Sequence, residues 1–414
     1  MVAVDAEEFE DGNISAEASL DELAELAKTA GAEVVGRMVQ KLPYASAATY
    51  IGSGKAMELC NYIDAVEATG IITDDELTNA QMANLQKLLD CKVMDRTMLI
   101  LDIFAKHAHS AEGMLQVELA QLNYRLGKLT GQGVSLSRLG GGIGTRGPGE
   151  KKLEVDRRVI RNRIAALRRE IKELQAHREI TRAKRSDASC TGFAIVGYTN
   201  VGKSTLLNAL TGADILAENK LFATLDTTTR RYAYKYGNTS REVLLTDTVG
   251  FIRKLPHHLI EAFNSTLMEA GYSDHIIHVV DASDPSSYEK MQTVYDTLAQ
   301  LGIKGKKILT IFNKTDQCDT ETLSGLKDIK ACKTLKLSAK NGEGLEQIPQ
   351  AIEEILMDDG IEIEGLIPYS KTALLNEIHQ NGTVSFEEYT PDGISIRARV
   401  NRRIASVIER STAD

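Results

Sequence analysis

The chain has 414 residues, 43% of them hydrophobic, with 58 acidic and 49 basic side chains and a net charge of −9. That length exceeds one ordinary core, so roughly two to four domains are expected. The acidic balance excludes a protein that coats nucleic acid over its whole surface, and five scattered cysteines (Cys60, Cys91, Cys190, Cys318, Cys332) exclude a disulfide framework, as in a reducing cytosol.

Residues 1–27 carry nine acidic residues and no basic one. We expect a solvated acidic leader over 1–30 with a short helix near Leu20 to Ala27, and no signal peptide. No apolar run is long enough to span a bilayer, so the expected location is cytoplasmic, with any membrane association peripheral. From Ala32 the pattern is α/β. Val34-Val35 is apolar, Lys55 to Thr69 is helix-like, Gly70 to Thr73 is apolar again, and Asn79 to Leu89 is helix-like. This predicts a small N-terminal α/β domain ending near residue 93. Gly52-Ser53-Gly54-Lys55 lacks the full spacing of a phosphate loop and reads as a turn that opens a helix.

The next stretch changes character. Ala111, Leu115, Leu119, Leu122, Leu126 and Leu129 recur at helical spacing, as do Leu153, Ile160, Ile164, Leu167, Ile171 and Leu174. Two such stripes predict a long antiparallel helical hairpin over 94–188. Between Arg146 and Arg185 lie fourteen basic and six acidic residues, a local charge of +8 that leaves −17 on the rest. A basic arm on an acidic protein points to a phosphate-rich partner such as RNA. Few aromatic residues accompany it, so phosphate and shape contacts are favoured over base stacking. Residues 131–150 include eight glycines, and we expect that loop to order on a partner, with Arg138 and Arg146 as phosphate contacts.

A domain over 189–358 carries the readable chemistry. Gly197-Tyr198-Thr199-Asn200-Val201-Gly202-Lys203-Ser204 follows the apolar run Phe193 to Val196 and precedes a helix-like run. Strand, glycine loop and helix form a phosphate cradle. Its N–H groups face phosphate oxygens, Lys203 reaches the outer phosphates and Ser204 can hold Mg2+. Asn200 is a candidate for coordinating K+ beside the phosphates. Asp247-Thr248-Val249-Gly250 follows another strand-like run, and supplies a carboxylate for the Mg2+ shell and a glycine N–H for the γ-phosphate. Asn313-Lys314-Thr315-Asp316 ends a third run. Asp316 can accept from guanine N1–H and the N2 amino group, a donor pair adenine lacks, so GTP is predicted over ATP. Ser338-Ala339-Lys340 can offer a backbone N–H to guanine O6. The first-switch candidate is Phe222-Ala223-Thr224-Leu225-Asp226-Thr227-Thr228-Thr229-Arg230, whose position leaves open which threonine completes the Mg2+ shell. Many GTPases place a water-orienting glutamine after Asp-x-x-Gly, but here the residue is Phe251. Slow intrinsic hydrolysis, stimulated by a partner, follows. The expected fold is α/β and multidomain, with a doubly wound, mostly parallel P-loop sheet and a small α/β domain over 359–414.

With Asp95-Arg96-Thr97, Gln116 to Leu122, Gly144-Thr145-Arg146-Gly147-Pro148-Gly149-Glu150 and Phe222 to Arg230, the chain resembles the HflX family of GTPases over about residues 30–360. The resemblance implies a GTP hydrolase that binds the large ribosomal subunit and separates stalled ribosomes under stress, monomeric when free. It also implies Thr224 as the switch ligand of Mg2+, beside Ser204, and Lys203, Thr224, Asp247 and Gly250 as the catalytic set. The family's first switch commonly has Pro where this chain has Thr227. The competing classes are an RNA-remodelling NTPase and a tRNA-modification GTPase. Asp316 and the single complete phosphate loop weigh against the former; the lack of a readable nucleophilic cysteine or cofactor site weighs against the latter.

Overall fold

The computed structural model describes the backbone of residues 1–6, 15–137, 148–185, 190–212, 221–222, 227–237, 239–254, 256, 259, 269–400 and 405. Side chains are described for the same residues except 130–153, 177–185, 239, 373, 377, 380, 381 and 383. The chain divides into two compact units. The first is Met1–His177 with Glu218–Asp226 and Ile252–Thr266; the second is Arg178–Ala217 with Thr227–Phe251 and Leu267–Asp414.

The first unit begins with β1 (Val2–Ala6), α1 (Ala16–Thr29), β2 (Met38–Leu42), α2 (Ser53–Ala65), β3 (Gly70–Thr73), α3 (Asn79–Leu89), β4 (Lys92–Asp95) and α4 (Arg96–His107). Its four strands form a parallel sheet in the order β2-β1-β3-β4. Residues 2–6 and 16–29 of the acidic beginning are therefore not a solvated leader. Val2, Ala3 and Val4 are buried in an inner strand, and Leu20, Leu23 and Leu26 bury one face of α1, where Ser15 caps the first turn. A charge count over the segment hides these two apolar faces. The apolar pair Val34-Val35 is not a strand: that dipeptide is irregular, Val35 is exposed, and β2 starts at Met38. Thr78 and Gln81 close a capping box on α3, and Asp95 caps α4 by accepting from the Met98 N–H.

Next come α5 (Ala111–Ser137) and α6 (Pro148–Arg185), both helical further into the glycine-rich stretch than its composition implies. Leu119 of α5 packs with Ile164, Leu167 and Ile171 of α6. Arg163 pairs with Glu118, and Arg157 donates to the Leu129 carbonyl, so positions later on one helix meet earlier positions on the other. The glycine-rich residues 138–147, with Arg138 and Arg146, lie outside the described residues.

The second unit holds β5 (Thr191–Gly197), α7 (Lys203–Thr211), β6 (Thr228–Tyr236), β7 (Thr239–Asp247), β8 (His275–Asp281), α8 (Ser287–Gln300), β9 (Ile308–Asn313), β10 (Lys333–Lys336) and α9 (Ile348–Asp359). Its six-stranded sheet runs β10-β9-β8-β5-β7-β6, parallel except for the β6–β7 pair. β5 and β8 are apolar almost without alternation, as strands covered on both faces must be. Beyond α9, strands β11 (Ile361–Ile367), β12 (Thr383–Thr390) and β13 (Gly393–Val400) form an antiparallel sheet in the order β11-β13-β12, with α10 (Thr372–Asn381) between the first two in sequence. Buried Glu353 of α9 accepts from Tyr234 of β6 and pairs with Arg241 of β7, which also donates to the Gly382 carbonyl.

Candidate functional site

Four of the sequence-predicted segments meet at the carboxyl ends of β5, β7, β9 and β10 in the second unit. That is where ligands bind in doubly wound sheets, because the strand order reverses there and leaves a crevice. Close backbone approach explains the loop's glycines. A Cβ on Gly197 would stand 2.3 Å from the Val279 carbonyl of β8. Gly202 has φ +93°, and a Cβ there would stand 2.4 Å from Asn313 Nδ2. Asn200 is also left-handed, at φ +61°. Asparagine tolerates that conformation better than most residues, so the backbone alone accounts for its presence.

Lys203 opens α7 and is buried. Its Nζ donates to the carbonyls of Tyr198 at 2.8 Å and Gly197 at 3.2 Å. Burial pushes its pKa down to about 8, against the opposing pull of Asp247. Ser204 Oγ donates to Asp247 Oδ2 at 2.6 Å. Asp247 is 1% exposed, and burial raises its pKa although Lys203 and Ser204 oppose the shift. Asp247 Oδ1 and Thr199 Oγ1 are buried and have no hydrogen-bond partner among the described residues. A buried acceptor without a donor costs about 1–3 kcal/mol, so these atoms mark a place built for a further group. A serine hydroxyl beside a carboxylate with one oxygen to spare is an all-oxygen donor set that suits Mg2+ and its retained waters.

The Asp247–Gly250 turn presses on the phosphate loop. A Cβ on Gly250 would meet Thr199 Cγ2 at 2.8 Å and Lys203 Nζ at 3.0 Å. Phe251 N–H donates to the Gly197 carbonyl and the Phe251 carbonyl accepts from Thr199 N–H, at 3.1 and 2.8 Å. The Phe251 ring is 1% exposed, so this residue braces the loop and takes no part in handling water.

Asn313 is a clamp. Its Nδ2 donates to the Val201 carbonyl at 2.8 Å, and its Oδ1 accepts from Ala339 N–H at 2.9 Å. One side chain thus ties the phosphate loop to the Ser338–Lys340 loop. Lys314 is left-handed, at φ +63°, and Asp316 is exposed in the short 3-10 turn that follows. Sequence reasoning passed over Asp281 at the end of β8, whose Oδ2 lies 2.6 Å from Lys314 Nζ. The signal for it was weak: a carboxylate closing an apolar strand is common.

The first switch is seen only in part. Ala223, Thr224, Leu225 and Asp226 lie outside the described residues. Leu221 and Phe222 belong to the first unit, where the Phe222 ring meets Phe104 edge-on at 4.7 Å between centroids. Ile252 to Lys254, just past Gly250 in sequence, belong to the first unit as well, and Lys254 Nζ pairs there with Asp74 and Asp75. Among the described residues no group of three or more His, Cys, Asp or Glu side chains is placed to hold a metal by itself, and no helix is long and apolar enough to cross a membrane.

Comparison with known proteins agrees with this geometry. Residues 17–105 match the family described as GTP-binding GTPase N-terminal, residues 107–185 the GTP-binding GTPase middle region, and residues 192–314 the 50S ribosome-binding GTPase family. The chain is 51% identical to the GTPase HflX of Lacrimispora saccharolytica over 100% of this chain and 96% of the relative. It is 37% identical to GTPase HflX of Escherichia coli K12 over 92% and 89%. Among solved structures, a GTP-binding protein from the hyperthermophilic archaeon Sulfolobus solfataricus in complex with GDP aligns at 27% identity and a TM-score of 0.43, covering 86% of this chain and 98% of that one.

Proposed function

The chain belongs to the HflX family of GTPases, and from that premise we propose that it is a guanine-nucleotide switch that works on the large ribosomal subunit and separates stalled ribosomes under stress. The nucleotide half of the proposal rests on the buried, unpartnered Asp247 Oδ1 beside Ser204 and Lys203. On this reading residues 197–204 wrap the phosphates, and Lys203 exchanges its two loop carbonyls for phosphate oxygens. Asp316 accepts from the guanine N1–H and N2 groups, and the N–H groups of the Ser338–Lys340 loop face O6. Ser204, with Thr224 in the triphosphate state, would hold Mg2+, with Asp247 reaching it through water; when bound, the ion would supply charge neutralisation for phosphoryl transfer. A K+ ion held by Asn200 is the further cation of this reading, and equal hydrolysis rates in K+ and Na+ would remove it.

The ribosomal half rests on α6. We read α5 and α6 as one antiparallel hairpin over 111–185, inside the expected 94–188 whose first residues belong to β4 and α4, between an N-terminal domain expected to end near 93 and a nucleotide domain over 189–358, with a small domain over 359–414 last. Arg158, Arg161, Arg168, Arg169 and Lys172 are exposed along α6 and suit a phosphate backbone. Because Phe251 is buried and cannot orient water, hydrolysis waits for a group that the partner supplies or positions. Density-gradient sedimentation with a non-hydrolysable GTP analogue tests the assembly step: the chain should travel with large subunits, and charge reversal at Arg158, Arg161 and Arg168 should release it. Co-sedimentation unchanged by that reversal would contradict the arm's role. Asp316→Asn tests the base: it should lose GDP affinity and gain affinity for xanthosine diphosphate.

A further inference from the structure

We infer that Asp281, at the end of β8, is a positioning residue for guanine nucleotides, acting through Lys314. The inference rests on the reading of Asn313–Asp316 as the guanine loop.

Asp281 is the register partner of Asn313 across the β8–β9 pair, and the Ala282 N–H donates to the Asn313 carbonyl at 2.8 Å. Its carboxylate is used on both oxygens. Oδ1 accepts from the Ser283 N–H at 3.0 Å and from Ser283 Oγ at 2.6 Å, which fixes the rotamer. Oδ2 then stands 2.6 Å from Lys314 Nζ, with the two side chains 15% and 24% exposed. An ion pair of this kind adds little to stability near water. Its value lies in what it immobilises. Lysine has four rotatable bonds, and ordering such a chain on binding costs about 0.5–1.5 kcal/mol. Asp281 orders it beforehand.

Lys314 needs such a tether, because a left-handed backbone at a non-glycine residue is strained. The Lys314 carbonyl accepts from the Gln317 N–H at 3.0 Å, and Thr315 N–H donates to the Leu337 carbonyl at 3.3 Å, so the backbone of the turn bearing Asp316 is held on either side of that residue. With its ammonium anchored at Asp281, the methylene stem of Lys314 is a fixed apolar surface beside the base acceptor, suited to the flat face of a purine. The same segment also reaches the phosphate loop. Lys290, paired with Asp284, lies 5.3 Å from the Tyr198 ring centroid. Asp281 and Asp284, three residues apart and outside the recognised motifs, thus each hold a lysine, one in the base loop and one beside the phosphate loop.

The test is stopped-flow release of mant-GDP and mant-GTP from the full chain. Asp281→Asn keeps an acceptor for Ser283 and removes the charge that holds Lys314. It should speed release of both nucleotides by the same factor, about threefold to tenfold, the loss expected for one unfixed lysine. In a Lys314→Ala background the substitution should have no further effect, a coupling that a merely structural role would not produce. Ser283→Ala, which loosens the carboxylate without removing it, should give a smaller change in the same direction and guards against a folding defect in Asp281→Asn. Unchanged release in Asp281→Asn, or effects that add to those of Lys314→Ala, would overturn the inference. Asp316→Asn run in parallel separates the two failures: if it shifts specificity to xanthosine diphosphate while Asp281→Asn is silent, the guanine-loop reading stands and only the role of Asp281 falls.

Discussion

The chain contains one parallel and one mostly parallel sheet, and both place carboxylates where their strands end. In the four-stranded sheet these are closed by the protein itself. Asp74, just past β3, accepts from Ser19 Oγ and pairs with Arg96 and Lys254. Burial pushes its carboxyl up, but Arg96 and Lys254 outweigh that and hold it below the ordinary range. Asp95, fully buried at the end of β4, takes bonds from the Met98 and Leu77 N–H groups, Tyr124 Oη and Lys128. In the six-stranded sheet, Asp247 has one oxygen satisfied and one buried without a donor among the described residues, and burial raises its pKa. The nearest ammonium, Lys203, is turned onto its own loop's carbonyls. One set of strand ends is finished as structure. The other carries an electrostatic deficit that a phosphate beside Lys203 and a cation beside Asp247 would relieve.

Removing a cation from the closed end should have the largest effect. Arg96 is 2% exposed and holds both Asp74 and Glu22. Arg96→Ala should cost the first unit about 3–5 kcal/mol in denaturant unfolding, because it strips two carboxylates of the buried guanidinium they share. A loss below about 1 kcal/mol would mean the cluster behaves like an exposed ion pair.

Acid should come next, and it strikes the second unit. His278 of β8 is buried with Nδ1 unpartnered among the described residues, and burial pushes its pKa down to about 4. The unfolded chain then binds the proton more tightly, so this contribution is intact above about pH 6.5 and is lost as pH falls towards 4, approaching about 3 kcal/mol. His278→Phe, which keeps a ring against Tyr295, should flatten the pH profile of unfolding in that window. A profile identical to the parent's would show that His278 is not the group responsible.

Much of the site was legible because its chemistry is local. The phosphate loop, Asp247–Gly250, Asn313–Asp316 and Ser338–Lys340 each follow an apolar run, and a parallel sheet covered on both faces writes its strands as such runs. What escaped notice depended on register or on faces. Asp281 matters only because β8 lies beside β9, so that its carboxylate meets Lys314. β1 was hidden because its three buried residues sit among acidic neighbours, and a composition count averages the two. Asn313 was legible only as a member of the Asn313–Asp316 motif, while its clamp on Val201 and Ala339 needed three dimensions. The membership of Phe222 and Lys254 in the first unit had no local signature at all.

The smallest effect on stability, and the most telling, is expected at Asp247. Asparagine there keeps an acceptor for Ser204 and removes a buried charge that lacks a full set of donors. Binding of Mg2+ and GTP should weaken by about 1.5–3 kcal/mol, the worth of a charged hydrogen bond, or about tenfold and more in affinity. The most direct test sets Asp247→Asn beside Asp74→Asn in scanning calorimetry of the nucleotide-free chain. Asp74→Asn should lower the transition of the first unit by several degrees, since it strips a partner from both Arg96 and Lys254. Asp247→Asn should leave the transition of the second unit unchanged or raise it. Equal destabilisation by the two substitutions would contradict the account, because it would make Asp247 as much a structural carboxylate as Asp74.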